Sequence, residues 1–380
     1  MRFLHLSDLH LGKSIHECSM LEDQRYILAQ IEEITSKKAV DAVVIAGDVY
    51  DRSVPPAEAV ELLDGFLTRL LARGVQILLI SGNHDSPERL GFLGGIVEER
   101  GLHIQSVFTG CARRVTLTDA HGAVHFYLLP YVKPAKAAPF FADARVETYD
   151  DAVRESLAAS GVEPGARNVL IAHQLFTFAG EDALRCDSES VSIGGVENVD
   201  VSCLDAFDYV ALGHLHRAQR VGREEIRYAG SPLKYSFSEA VGDKSVTLVE
   251  LGGKGEVRLE RVPLVPLRDL REIRGPIEAL IAAAGEGSPD YIRAILTDEG
   301  EVFDAMGRLR RVYPNVLRLD FERSYGDTDA DAAPLLAGAS TPVALFERFY
   351  AYTRGTQLTA QQQALLASAM EQAREEEGQG

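Results

Sequence analysis

Five short segments of this chain carry side chains suited to holding metal ions. They are Asp8-Leu9-His10, Gly47-Asp48-Val49-Tyr50-Asp51, Gly82-Asn83-His84-Asp85, Ala172-His173-Gln174 and Gly213-His214-Leu215-His216. Carboxylate, imidazole and amide oxygen are suitable ligands for first-row divalent ions. Asp8 and His10 are one residue apart, so an extended strand would turn both to the same side, and His214 and His216 repeat that relation. A carboxylate such as Asp48 has two oxygens and can bridge two ions. Two ions about 3.5–4 Å apart could clamp a phosphoryl group and activate a hydroxide for in-line attack. Any one of these segments alone is more often a polar strand end, and Gly-Asn also makes an ordinary turn. Their joint occurrence favours metal: five of the ten histidines fall in them, in each case just after a strand-like apolar run.

The elements that must position these residues are legible as apolar runs. Residues 41–46, 75–80, 168–172 and 208–212 read as buried strands. Between the first two, 56–73 carries Leu62, Leu63, Phe66, Leu67, Leu70 and Leu71 at helical spacing and stops at Gly74. The runs at 245–251 and 257–262 alternate and suggest antiparallel strands. Strands mixed with crossover helices imply a layered α/β fold. In open α/β sheets, sites gather beyond the carboxyl ends of the strands, so five distant segments can meet at one edge.

From about residue 266 the character changes. Strands are expected at 268–273, 291–297 and 316–321, with helices at 276–284 and 302–312, enough for a small α/β unit. Residues 324–340, rich in Gly, Ala, Asp and Ser, read as a linker. Thr341-Pro342 then opens a helix with Leu345, Phe346, Phe349 and Tyr350 on one face, which Gly355 can end. Thr359 and Gln362 form a capping-box pattern for a second helix containing Leu365, Leu366 and Met370.

Composition bounds the rest. The 380 residues, 46% apolar and 25% charged, suit a globular protein of two or three folding units. No run of about 18 or more apolar residues occurs, so no transmembrane helix is expected. The N-terminus has no signal-peptide pattern, and cytoplasmic residence is the default expectation. Cys18, Cys111, Cys186 and Cys203 form no CxxC pair and read as free thiols. The net charge of −18 means that any attraction to nucleic acid must come from a local basic patch or from a partner. Arg217, Arg220 and Arg223, or Arg308, Arg310 and Arg311, would supply phosphate contacts or a solvated face with equal weight.

The set DxH, GDxxD, GNHD, a strand-end His and GHxH resembles the calcineurin-like metallophosphoesterase superfamily. The forms Ser7-Asp-Leu-His-Leu-Gly12, Gly47-Asp-Val-Tyr-Asp51, Gly213-His-Leu-His216 and Tyr228-Ala-Gly-Ser-Pro-Leu-Lys-Tyr-Ser-Phe237 resemble its SbcD family, nuclease subunits of bacterial SbcCD DNA-repair complexes. The likeness covers about the first 265 residues, extends more loosely through the small unit, and returns at Leu345-Phe-Glu-Arg-Phe-Tyr350. It implies an α/β fold: a layered β-sandwich flanked by helices, with a small α/β cap domain and C-terminal helices. The implied domains are a nuclease domain at 1–265, a DNA-capping domain at 266–323, a linker at 324–340 and helices at 341–380 that dock an SbcC-type ATPase.

The same resemblance assigns ligands by position. One ion would take Asp8, His10, Asp48 and His216, and the other Asp48, Asn83, His173 and His214, with Mn(2+) the usual metal. His84 matches a histidine that is not a ligand and meets the scissile phosphate, as electrostatic stabiliser or proton donor. Asp85 either orients His84 or is an exposed turn carboxylate. Asp51 stands where some relatives carry a second histidine, and Asp51-Arg52 resembles a protein-phosphatase signature, so Arg52 is either a phosphate contact or a solvated residue. Gly12-Lys13-Ser14 resembles the end of an ATP-binding loop, but Ser7 stands where the first glycine is required, so ATP handling falls to the partner. The implied activity is an ATP-dependent double-strand exonuclease and single-strand endonuclease acting on DNA, as a homodimer within a heterotetramer, away from membranes. The alternative is a small-substrate enzyme of the same fold, a cyclic-nucleotide phosphodiesterase or phosphoprotein phosphatase. A non-catalytic scaffold would tend to lose ligands, and this chain keeps all seven.

Overall fold

The computed structural model describes residues 1–178, 184, 186–189, 197–322 and 342–377. The expected linker and Thr341 lie outside them. The chain runs through β1 (Arg2–Leu6), α1 (Leu21–Lys37), β2 (Ala42–Ala46), α2 (Ala57–Leu71), β3 (Gln76–Ile80) and β4 (Leu102–Gln105). It continues through β5 (Arg113–Asp119), β6 (Gly122–Leu129), α3 (Tyr149–Ala158), β7 (Arg167–His173) and β8 (Tyr209–Gly213). Strands β9 (Gln219–Val221), β10 (Arg223–Tyr228), β11 (Ser245–Leu251) and β12 (Val257–Pro263) complete two six-stranded sheets. Their orders are β12-β11-β1-β2-β3-β4 and β9-β10-β8-β7-β6-β5. β1 to β4 are mutually parallel, as are β6, β7, β8 and β10, and the remaining strands join antiparallel.

The sheets stack face to face. Phe3, Val44, Ala46, Leu78 and Ile80 of the first meet Phe126, Leu128, Val169, Ile171 and Ala211 of the second in one buried layer. Both faces of β2 and β7 are buried, which is why they read as unbroken apolar runs. Ile27, Leu28 and Ile31 of α1 and Leu62, Phe66 and Leu70 of α2 cover the outer face of the first sheet. Val153 and Leu157 of α3 pack with Tyr127, Leu170 and Val210 against the second. This is the layered β-sandwich flanked by helices that the motifs imply.

The small unit is a three-stranded sheet, β13 (Leu270–Gly275), β14 (Tyr291–Leu296) and β15 (Val316–Phe321), with α4 (Ile277–Ala283) and α5 (Ala305–Arg310). It has its own core around Ile277, Ile292, Leu296 and Leu309. Residues 268–269 are not strand as expected, because Arg268 turns to pair with Glu22 and Asp23 of α1. The expected helix at 302–312 is shorter because Asp304 takes a left-handed conformation with φ 48°. Tyr291 donates to Asp23 Oδ2 at 2.7 Å, and Leu270 and Tyr291 join the core of the first sheet.

By contact density Met1–Leu296 and Val302–Asp320 form one unit, and Thr297–Glu301 with Phe321–Gly380 another. In the second, α6 (Pro342–Arg354) and α7 (Ala360–Glu377) form a helical pair. Thr359 and Gln362 make the expected capping box, through Thr359 N to Gln362 Oε1 (2.9 Å) and Gln362 N to Thr359 Oγ1 (3.3 Å). Leu345, Phe346, Phe349 and Leu365 are exposed. Among the described residues no helix is long and apolar enough to cross a membrane, and the four cysteines are free.

Candidate metal centre

Every candidate segment follows the carboxyl end of a parallel strand. Asp8 and His10 follow β1, Asp48 follows β2, Asn83 and His84 follow β3, His173 ends β7, and His214 and His216 follow β8. The two sheets therefore contribute to one edge, where topology concentrates sites. Beyond the strands, the loops stay together. Asp8, His10 and Leu11 donate their N–H groups to the carbonyls of Gly47, Asp48 and Val49 at 2.9–3.1 Å.

The convergence does not come from strand alternation, as the spacing of Asp8 and His10 had suggested. Asp8, His10, Asp48 and His214 all adopt positive φ, at 53°, 43°, 48° and 104°. Such conformations cost about 1–3 kcal/mol each and persist where surroundings over-determine them. Here the restraints are explicit. The His214 N–H donates to both Asp8 oxygens, at 3.0 and 3.2 Å. Gln24 of α1 donates to the His10 carbonyl (2.7 Å) and accepts from Gly12 N (3.0 Å). Asp85 is buried and accepts from Gly82, Val49 and Tyr50 N–H groups at 2.9–3.1 Å. Asp85 is thus no exposed turn residue. It ties the Asp48 loop to the Asn83 loop, and burial, aided by Asp48, pushes its carboxyl up to about 6.

Two motif glycines answer to the same crowding. A Cβ on Gly82 would lie 2.1 Å from Asp48 Oδ1, and one on Gly213 would lie 2.0 Å from the Ala46 carbonyl oxygen and 2.7 Å from His173 Nδ1. Neither position has room for a side chain.

All seven candidate ligands come together, and all but Asn83, half-buried, are buried. Asp8, His10 and His216 can present ligand atoms within 4.8 Å of one another, as can Asp8, Asp48 and His173. His10 Nε2 and His216 Nε2 are 3.1 Å apart, and His10 Nε2 is 3.7 Å from Asp48 Oδ2. On the other side, Asn83 Oδ1 lies 3.0 Å from His173 Nε2 and 3.1 Å from His214 Nδ1, and His173 Nε2 lies 3.4 Å from Asp48 Oδ2. The three separations of 3.0–3.1 Å suit donor pairs that would share one ion, roughly 3 Å apart at bonds of about 2.1 Å, and the two to Asp48 Oδ2 are longer.

The electrostatics fit a cation as well. Burial holds His10 well below its usual range and pushes His214 down to about 3, so both present neutral nitrogens. Burial also lowers His173, but the Asp48 carboxylate outweighs it and lifts His173 to about 9. In turn, burial disfavours the Asp48 anion, yet His173 and His10 hold its carboxyl well below the ordinary range. Burial raises Asp8. Without an ion, a proton on His173 balances Asp48, and a divalent cation would replace that proton.

His84 donates its backbone N–H to Asp48 Oδ1 (2.9 Å), and its Nδ1 donates to the Asp51 carbonyl (2.9 Å). That fixes Nε2 on the Asp48 side, 4.0 Å from Asp48 Oδ2. His10, Asp48 and His84 form a third cluster that geometry alone would allow to hold an ion. Asp51 accepts from Lys13 Nζ at 2.7 Å. Arg52 is 62% exposed on its side chain. Of the basic clusters, Arg308 pairs with Glu278, Arg220 with Glu224 at 3.3 Å, and Arg223 donates to the Phe207 carbonyl at 2.6 Å.

Sequence reasoning missed the residues behind the centre. Tyr131 stacks on His214 with ring centroids 6.5 Å apart, and Tyr235 lies edge-on to His10 and His216. Ser188, Glu239 and Lys244 form a polar chain behind His216. Only the 228–237 motif hinted at it, through Gly230, whose φ of 77° turns the chain so that Ser231 N–H meets the His216 carbonyl at 3.1 Å.

Comparison with known proteins gives the family. The calcineurin-like phosphoesterase family profile matches residues 1–218, and a Type 5 capsule protein repressor C-terminal domain profile (SbcD_C) matches residues 266–354. The chain is 35% identical over 325 residues to the SbcD subunit of the SbcCD nuclease of Staphylococcus epidermidis, covering 84% of this chain and 85% of that protein. Among solved structures it is similar to a dimetal phosphatase from Danio rerio (TM-score 0.41, 12% identity, 70% of this chain and 98% of that one). It is also similar to the phosphopantetheinyl hydrolase PptH of Mycobacterium tuberculosis (TM-score 0.36, 17% identity, 60% and 89%). With the phosphoesterase profile spanning more than half of the chain and the SbcD relative aligned over most of both proteins, this chain belongs to the SbcD family of calcineurin-like phosphoesterases, metal-dependent hydrolases of phosphodiesters.

Proposed function

We propose that this chain is the nuclease subunit of an SbcCD-type complex in the cytoplasm, acting in DNA repair and recombination. Its activity is Mn(2+)-dependent, ATP-dependent double-strand exonuclease and single-strand or hairpin endonuclease cleavage. The observation that carries the reading is the pair of ligand clusters meeting at Asp48, in a chain aligned to an SbcD nuclease over most of its length. In this reading Asp8, His10, Asp48 and His216 hold one ion, and Asp48, Asn83, His173 and His214 the other. Divalent ions there supply positive charge against the phosphoryl oxygens and make water a better nucleophile. Asp48 would keep the two sides in register through Oδ2, which lies 3.7 Å from His10 Nε2 and 3.4 Å from His173 Nε2, while its Oδ1 accepts from the His84 N–H. His84, its ring fixed by the Asp51 carbonyl, faces the phosphate with Nε2 and stabilises developing charge or passes a proton to the leaving oxygen.

The domain roles follow from the same reading. Residues 1–265 are the nuclease domain, 266–323 cap the DNA, and 341–380 dock the SbcC-type ATPase, with 324–340 as a linker. Exposed Leu345, Phe346, Phe349 and Leu365 support helix-in-groove docking on that partner. Exposed Phe92, Leu93 and Ile96, within five residues, support a homodimer interface inside a heterotetramer.

The test is cleavage of linear and hairpin DNA with Mn(2+), with and without a purified SbcC-type partner and ATP. ATP-stimulated DNA cleavage that is lost when 341–380 is deleted is the expected result. Partner-independent hydrolysis of cyclic nucleotides or phosphoproteins without activity on DNA would favour the small-substrate alternative.

A further inference from the structure

We propose that Glu239, held by Lys244 and acting through Ser188, is a positioning residue that sets the proton of His216 so that its Nε2 is free to hold a divalent ion. The inference rests on the two-ion reading above and concerns residues outside its ligand set. Glu239 is buried behind His216. Its Oε2 accepts from Lys244 Nζ at 2.5 Å, and its Oε1 accepts from the Tyr235 N–H at 3.2 Å. Neither donor can act as an acceptor, so both oxygens of Glu239 face donors. Ser188 Oγ lies 2.7 Å from Glu239 Oε1 and 2.7 Å from His216 Nδ1.

A hydroxyl has one proton to give. Opposite a carboxylate that can only accept, Ser188 must give it to Glu239, and its oxygen then accepts from Nδ1–H of His216. A neutral imidazole carrying its proton on Nδ1 has a bare Nε2. That nitrogen faces His10 Nε2 at 3.1 Å, on the side where the ion belongs. The opposite tautomer would put a proton in that gap and leave Ser188 Oγ against the carboxylate with no hydrogen between them. Lys244 reinforces the arrangement, because its ammonium also donates to the His216 carbonyl (2.8 Å) and to Ser231 Oγ (2.8 Å). One cation thus fixes both the main chain and the carboxylate behind the ring. His173 has a different backing, a main-chain carbonyl: its Nδ1 lies 2.8 Å from the Ala46 oxygen. Replacing Glu239 therefore acts on one ion and spares the other.

Glu239→Gln is the informative change. Its amide can donate to Ser188, freeing the hydroxyl to donate to Nδ1 and driving the proton onto Nε2. Mn(2+) binding to the full-length protein is measured by calorimetry and by electron paramagnetic resonance, with side-chain nitrogen shifts of the ion-free protein reporting the His216 tautomer. The expected result is two ions in wild type, with one of them bound about 10- to 100-fold more weakly in Glu239→Gln. The His216 proton moves to Nε2, and turnover recovers at high Mn(2+). Ser188→Ala keeps the buried Lys244–Glu239 pair and gives the same selective weakening should Glu239→Gln fold poorly, while Ser188→Thr restores wild-type binding. Two ions bound with unchanged affinity in both Glu239→Gln and Ser188→Ala would overturn this inference and leave the two-ion reading standing. A wild-type protein that binds no pair of ions would overturn both.

Discussion

His84→Ala separates catalysis from metal binding at this centre. The substitution keeps the backbone N–H that donates to Asp48 Oδ1 at 2.9 Å. It removes the hydrogen bond from Nδ1 to the Asp51 carbonyl at 2.9 Å and an edge-on ring contact with His10, among others. A single hydrogen bond of this kind contributes about 0.5–3 kcal/mol net, so the variant remains folded. Loss of a positioned proton donor lowers turnover by about 10²–10⁴-fold, a barrier increase of roughly 3–5 kcal/mol. The assay pairs Mn(2+)-dependent DNA cleavage with hydrolysis of an activated aryl phosphodiester and elemental analysis of bound metal. An aryl leaving group stable as an anion needs no proton, so its hydrolysis falls less than DNA cleavage does. Full DNA cleavage with both ions bound would remove His84 from the mechanism. Loss of one ion would instead make His84 a ligand, as its cluster with His10 and Asp48 permits.

Three other perturbations follow from the same geometry. Gly82→Ala drives a Cβ to 2.1 Å from Asp48 Oδ1, so it lowers stability by about 1–3 kcal/mol and abolishes paired metal binding, read by thermal melting and metal titration. Asp119→Asn breaks a cluster in which Asp119 meets Arg167 Nη2 and the N-terminal ammonium, each at 2.6 Å, and costs about 3 kcal/mol at neutral pH. The Arg167 guanidinium foremost holds this carboxyl below its usual range, so its contribution is full above about pH 4 and disappears as pH falls through the folded value. Urea unfolding should therefore show the gap between wild type and variant closing in acid, and a pH-independent gap refutes the assignment. Ile96→Glu puts a charge in a segment where Phe92 is 74% and Ile96 72% exposed, and sedimentation should show monomers with the metal content unchanged.

The chemistry was legible because side-chain type and strand position coincide. A parallel strand buried on both faces, such as β2 or β7, is an apolar run that ends abruptly, and its first polar residue falls at the site edge. The order of the five segments could thus be read without contacts. Their mode of convergence could not. Period-two alternation put Asp8 and His10 on one side of an extended strand, whereas both residues lie beyond β1 in left-handed conformations held by the Asp48 loop and by Gln24. Local spacing carries no information about a backbone shaped by partners up to 206 residues away along the chain.

The same limit explains Asp85 and Glu239. Each is a lone carboxylate in a turn-rich stretch, with no periodicity to mark it as buried. Asp85 acts on residues 35 and 36 positions away, through Tyr50 and Val49. Glu239 acts on Ser188, 51 positions away, and through it on His216. Ligands must be metal-binding residue types at strand ends, so their identity survives in the sequence as a pattern. Residues that aim ligands need only reach them, and any loop that the fold brings near can supply one. The seven candidate ligands could therefore be named before the fold was seen, while the groups that hold them in a strained arrangement appear only once β10 and the turn at Gly230 carry residues 231–244 behind His216.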